Sequence, residues 1–212
     1  MKKNILMITG CAMLLSISSI AYSAEGPYVS GNLGLAIPRD SDITDSTVPG
    51  ITLDIESDSG LSVGVAVGYD GGNNSRIEVE IGYHKNDLDK ASLLGVDVPL
   101  TGDTSGLALL LNGYWYWEFT NQSAYTTFIS AGVGFAKVEI NDFNVPGSGL
   151  PSLSDDDTAF AYQVGGGVGY AVNEKTTVDV KYRYFATSDL EFDTTTAEYS
   201  GHNVLVGIRV NF

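Results

Sequence analysis

Leu61-Ser62-Val63-Gly64-Val65-Ala66-Val67-Gly68-Tyr69 decides the fold. Every odd position is apolar, and every even one is Ser, Gly or Ala. Successive side chains of a strand point to opposite faces, so a strict period of two reads as β-structure. The apolar face of this stretch is bulky and its other face is nearly empty. The next alternation sets Ile77, Val79, Ile81 and Tyr83 against Arg76, Glu78, Glu80, Gly82 and His84. The charges therefore fall on the same face as the small residues.

Working outward, the pattern occurs eight times, over residues 28–37, 61–69, 76–85, 104–119, 125–138, 159–172, 177–185 and 202–212. The links between strands differ in length. Segments 70–75, 120–124 and 173–176 are short, whereas 38–60, 86–103, 139–158 and 186–201 are long. An even strand number, with short turns at one end and long loops at the other, describes a transmembrane barrel. Pro49-Gly50 and Pro146-Gly147 are expected to form turns within two of the long loops. No stretch after the N-terminal segment approaches the apolar length of a membrane-spanning helix.

Volume fixes which face points inward. Eight strands enclose a lumen just wide enough for side chains to fill. Trp115, Trp117, Tyr182, Tyr184 and their neighbours are too bulky to share that space. Gly34, Gly64, Gly68, Gly82, Gly132, Gly134, Gly165, Gly167, Gly169 and Gly207 all lie on the opposite face. The small and charged face is therefore expected inside, with the apolar face against lipid. Closure satisfies every backbone hydrogen bond in a medium without water. Tyr28, Tyr69, Tyr83, Trp117, Phe119, Tyr170 and Tyr184 lie near strand ends, where interfacial girdles belong.

Composition narrows the function classes. The 212 residues hold 11 Lys and Arg against 26 Asp and Glu, a net charge of −15. That balance opposes nucleic-acid binding, which needs a basic face. The single cysteine, Cys11, excludes a disulfide scaffold or a cysteine-based zinc site. Residues 1–24 read as a secretory signal peptide: Lys2 and Lys3 precede the apolar run from Ile5 to Ile20, and Ala21, Ser23 and Ala24 follow. Cys11 sits inside that apolar run, which reads as ordinary leader rather than a lipoprotein box. Cleavage after Ala24, with Ala21 and Ser23 as alternative sites that fit the small-residue rule as well, would leave residues 25–212 as one barrel domain. It would shift the charge to −17, since two lysines depart and no acid does.

At this point the chain resembles a known group, the small bacterial outer-membrane barrels: opacity proteins, related surface antigens and the OmpA transmembrane domain. The resemblance covers the whole mature chain. It is carried by the segments 131–136 (AGVGFA), 166–171 (GGVGYA) and 178–185 (VDVKYRYF), and by the terminal VRVNF-type ending His202–Phe212, here written IRVNF at its close. It implies an all-β, eight-stranded, antiparallel up-and-down barrel in the outer membrane of a Gram-negative cell. It also implies a monomer whose Phe212 resembles the signal read by the barrel-assembly machinery. Membrane lipid and lipopolysaccharide would surround it, and a host or cell-surface ligand would meet its loops. Envelope integrity, adhesion or surface recognition is the implied role. No OmpA-type periplasmic domain is expected after the barrel, so a peptidoglycan-tethering role is not implied.

Three constellations could carry chemistry. Arg76, Glu78, Glu80, Glu118, Asp179, Lys181, Arg183 and Arg209 share the inward face. They read as a paired network filling the lumen, because an unpaired buried charge is very costly. The alternative is a narrow, cation-preferring channel. The long loops hold 19 of the 26 acids. They read as a solvated surface, with Asp54, Glu56 and Asp58 and the run Asp155-Asp156-Asp157 as candidate oxygen ligands for Ca²⁺ or Mg²⁺. Asp54 does not open an EF-hand, because position 65 is Val where Glu is required. Catalytic signals are poor. His84 and His202 are the only histidines, and Ser200, Glu198 and His202 do not have triad geometry on a strand. The Gly165–Gly169 run lacks the strand–turn–helix setting of a nucleotide loop. No enzyme and no resident cofactor are expected.

Overall fold

The computed structural model describes residues 25–39, 41–45, 52–93, 96–118, 124–147, 149, 151–192 and 195–212. The signal-peptide reading of 1–24, including Cys11, falls outside them, as do Pro49-Gly50 and Phe119. The eight long strands are β1 (Gly26–Pro38), β2 (Gly60–Asp70), β3 (Ser75–Leu93), β4 (Thr101–Glu118), β5 (Tyr125–Asn144), β6 (Leu153–Ala171), β7 (Thr176–Thr187) and β8 (Ser200–Asn211). Each pairs antiparallel with the next. β8 then returns to β1, from Tyr28 opposite Asn211 to Pro38 opposite Gly201. The sheet is a closed, eight-stranded barrel.

The two faces separate as volume requires. Val65, Ile81 and Val206 are 59%, 51% and 56% exposed, while Glu80 and Arg183 are 1% and 3% exposed. For a barrel in lipid, that exposure is contact with hydrocarbon. Glycines on the inner face make room for their neighbours: a Cβ on Gly207 would lie 2.6 Å from Asn32 Oδ1 and 2.7 Å from Asp179 Oδ1. The turn between β2 and β3 needs left-handed backbone at Gly72 (φ 66°) and Asn74 (φ 62°). There the Gly72 amide donates to Asp70 Oδ1 at 3.1 Å.

Two readings are corrected. Tyr28 is not part of the outer girdle; it is 1% exposed and points into the lumen. It is one residue out of phase with Val29, and strand parity overrides the preference of tyrosine for an interface. The long loops are also much shorter than the alternation suggested. β3 continues to Leu93, β4 begins at Thr101, β5 reaches Asn144 and β6 begins at Leu153. A tilted strand needs about 9–11 residues to cross the hydrocarbon, yet β5 has 20. About half of it therefore stands outside the bilayer. Short strands Ser41–Asp45, Thr52–Ser57, Val96–Pro99, Leu190–Phe192 and Thr195–Ala197 add to the same rising wall. We call this extramembrane rim the crown. It escapes a hydropathy reading because its outer face meets water and its few buried positions, such as Asn86, Ala91 and Leu190, do not form a regular apolar alternation.

Val65 lies midway along β2 on the lipid side. Val65→Arg is expected to destabilise the barrel in phospholipid vesicles by about 2–4 kcal/mol, read as a shifted urea unfolding midpoint. Val65→Leu should leave that midpoint unchanged.

Candidate functional site

The lumen nearest the short turns is a web of charge-assisted hydrogen bonds. Asp70, at the end of β2, accepts from Arg209 Nη1 at 2.9 Å and from the Tyr116 hydroxyl at 2.7 Å. Glu78 accepts from the hydroxyls of Tyr114 (2.6 Å) and Tyr28 (2.9 Å). Arg76 sits above Glu78's tyrosine partner instead of pairing with the carboxylate itself, its guanidinium 4.1 Å from the Tyr114 ring centre. Arg183 places one nitrogen 2.7 and 2.9 Å from the two Glu80 oxygens. Asn112 donates to Glu80 at 3.1 Å and accepts from Gln163 at 2.6 Å. Lys181 and Asp179 pair at 3.3 Å, two residues apart on β7.

The fold thus brings Arg76, Glu78, Glu80, Asp179, Lys181, Arg183 and Arg209 into one lumen. Glu118 lies on β4 opposite Thr126, but its side chain is outside the described set. Sequence reasoning missed Asp70, which lies at the turn where alternation ends. It also missed Tyr28, Tyr114, Asn112 and Gln163, which neutralise charge through hydroxyl and amide groups. Their shared parity with Glu78 and Glu80 was the available signal.

Toward the crown the lumen changes character. Ala108, Leu110, Ala136, Ala161 and Phe185 form one buried apolar cluster, and Val138, Ala159 and Leu190 form a second. Tyr199 packs against both. Burial pushes its phenol up to about 12. His84 lies beneath, its ring 5.1 Å from that of Phe185.

The outer rim carries paired lysines. Lys85 meets Asp103 at 3.2 Å, and Lys137 meets Glu139 at 2.8 Å and Asp156 at 3.1 Å. Hydrogen bonding to these carboxylates holds both ammonium groups above the ordinary lysine value. Among the described residues, the candidate cation ligands of β6 do not share one face. Asp155, Asp156 and Asp157 are consecutive on β6, so Asp156 faces Lys137 while its two neighbours take the other face. Thr52–Ser57 ends in a bulge, and Asp58 lies beyond it; the side chains of Asp54 and Glu56 are outside the described set. Among the described residues no three His, Cys, Asp or Glu side chains form a metal-holding group. His202 faces outward and bonds the Tyr182 hydroxyl at 2.6 Å.

Comparisons with known proteins agree with this architecture. Residues 7–212 match the family profile of the outer membrane protein beta-barrel domain. The outer membrane protein PagN of Salmonella typhimurium is 28% identical over 202 residues, covering 86% of this chain and 83% of its own. A candidate adhesin of Rickettsia canadensis is 25% identical over 160 residues, covering 72% and 70%. The crystal structure of Neisserial surface protein A superposes with a TM-score of 0.59 at 20% identity, covering 88% of this chain and 97% of that one. This last likeness is one of fold.

The Glu80–Arg183 pair supplies a direct test of the lumen. Glu80→Gln or Arg183→Met alone strands the other charge in a buried site and is expected to cost about 3–5 kcal/mol. The double variant should cost clearly less than the two single costs added together. Urea titration in vesicles reads all three.

Proposed function

The chain belongs to the outer membrane protein beta-barrel family, and from that premise we propose that it is a non-enzymatic surface-recognition protein whose working part is the acidic crown. One observation carries the reading: β3 to β6 continue well past the bilayer as a paired wall while the lumen below is packed. Such a wall presents fixed side chains, which suits recognition better than a flexible loop does. The filled lumen favours this role over that of a cation channel. Relationship to a candidate adhesin points the same way. The acidity of the crown suits a cationic partner, or an anionic cell surface bridged by Ca²⁺ or Mg²⁺ through carboxylates such as Asp155 and Asp157. The solvent-accessible Lys85 and Lys137 of the outer rim suit contact with the anionic headgroups of lipopolysaccharide. Phe212, which is 60% exposed on the lipid side, serves as the assembly signal.

The test compares cells displaying the intact barrel with cells in which residues 139–156 and 86–102 are each replaced by a short turn. Folding of the trimmed barrel is checked by its heat-modifiable gel mobility. Attachment to host cells is scored with and without calcium. Trimmed cells should lose attachment while keeping the folded band. Equal attachment by trimmed cells would overturn the reading, as would large steady currents from the intact protein in planar bilayers.

A further inference from the structure

The lumen has two barriers in series, and they differ in kind. Near the short turns the barrier is polar: ion pairs and hydroxyls that water could also solvate. Near the crown it is apolar. Ala36, Ala108, Ala136, Ala159, Ala161 and Ala186 are all buried. Their small side chains leave space that larger ones fill from within. Phe185 enters from β7, Leu110 from β4 and Tyr199 from just before β8, with the Phe185 and Tyr199 rings edge to face at 6.0 Å. The crevice lined by Ala36, His84, Phe185, Tyr199 and Asn203 on the inside, and by Ile37 and His202 where it reaches the outer face, holds no water-sized space. His84 is a wall of that crevice, and both its ring nitrogens, like the Oγ of its cross-strand neighbour Ser62, are buried without a hydrogen-bond partner. Above them the buried side chains are mostly apolar, and the polar ones at that level, Asn86 and Thr187, are hydrogen-bonded into the layer.

That layer is tied down at one residue. The Tyr199 hydroxyl donates to Asn86 Oδ1 at 3.2 Å, its amide donates to Thr187 Oγ1 at 3.2 Å, and its carbonyl accepts from the Thr187 amide at 2.9 Å. Asn86 is itself fixed, donating to the carbonyls of Ala36 (3.1 Å) and Asp58 (2.9 Å). Tyr199 thus joins the last connection of the barrel to β1, β3 and β7, and among the described residues it is the one side chain shared by both apolar clusters.

We infer that Tyr199 latches an apolar seal across the outer end of the lumen, and that this seal, not the Glu80–Arg183 pair, excludes water and ions arriving from the crown side. A dry constriction blocks ions by refusing to wet, without needing a fixed charge. A partner that draws the Tyr199 backbone outward would open the seal while leaving the ion pairs intact. The inference concerns the lumen and holds whichever partner the crown meets.

The test uses a buried reporter. Cys11 is the only cysteine in the chain and lies within residues 1–24, so Ser62→Cys gives the barrel one thiol just below the seal. The barrel is reconstituted in phosphatidylcholine vesicles. Crown-outward molecules are identified by protease shaving, and a small charged methanethiosulfonate is added outside. With Tyr199 intact the thiol should stay protected, and it should remain so when Glu80→Gln and Arg183→Gln are both present. Tyr199→Ala should abolish protection. Tyr199→Phe, which keeps the ring and loses the hydroxyl, should retain most of it. Heat-modifiable mobility confirms that each variant is folded. Labelling with Tyr199 intact, labelling released by the ion-pair variants alone, or continued protection in folded Tyr199→Ala would each overturn the inference.

Discussion

Everything in this molecule follows from the cost of an unpaired backbone amide in hydrocarbon. Water is absent there, so each N–H and C=O must find a partner within the protein, and an open sheet edge is not tolerated. The pairing of β8 with β1 over eleven residue pairs removes the last edge. Once the sheet is closed, strand parity does the rest. Every residue faces either acyl chains or the lumen, and a single slip in register would invert the whole set.

Closure at eight strands then dictates the interior. The lumen is narrow, so large groups are admitted only where glycine or alanine faces them. In the half near the short turns the fill is polar, with Glu80 held by Arg183 and Glu78 by two tyrosine hydroxyls. In the half near the crown it is Phe185, Leu110 and Tyr199 among alanines. Above the bilayer the lipid constraint lapses, while pairing between neighbouring strands continues. The wall rises, exchanges apolar side chains for Asp, Lys and Asn, and becomes the surface that meets the outside.

How much of this could be read from the sequence depends on which constraint acts at each residue. Where one face meets lipid, as at Val65 and Ile81, alternation exposes both the strand and its orientation. Tyr28 shows that parity outranks residue type. The tail of β3 and the head of β6 carry no apolar face, so residues 86–93 and 153–158 look like loop although they are strand. Parity alone places Glu80 and Arg183 in one lumen. It does not show that Glu78 is satisfied by hydroxyls or that Asp70 anchors Arg209, because those partners come from distant strands. The apolar layer was hidden for a similar reason: Phe185 adjoins outward-facing residues and Tyr199 belongs to a connection. Asp155, Asp156 and Asp157 adjoin in sequence, but neighbours on a strand point to opposite faces, so the run does not by itself gather three carboxylates.

The central claim is that the bulky apolar face meets lipid and the charged face is enclosed. Its most direct test is a spin-label scan along β2 in phospholipid vesicles, reading collision with dissolved oxygen at each position from 61 to 69. The account requires high oxygen access at 61, 63, 65, 67 and 69, and immobilised, shielded labels at 62, 64, 66 and 68. The opposite phase, or no period of two at all, would contradict it.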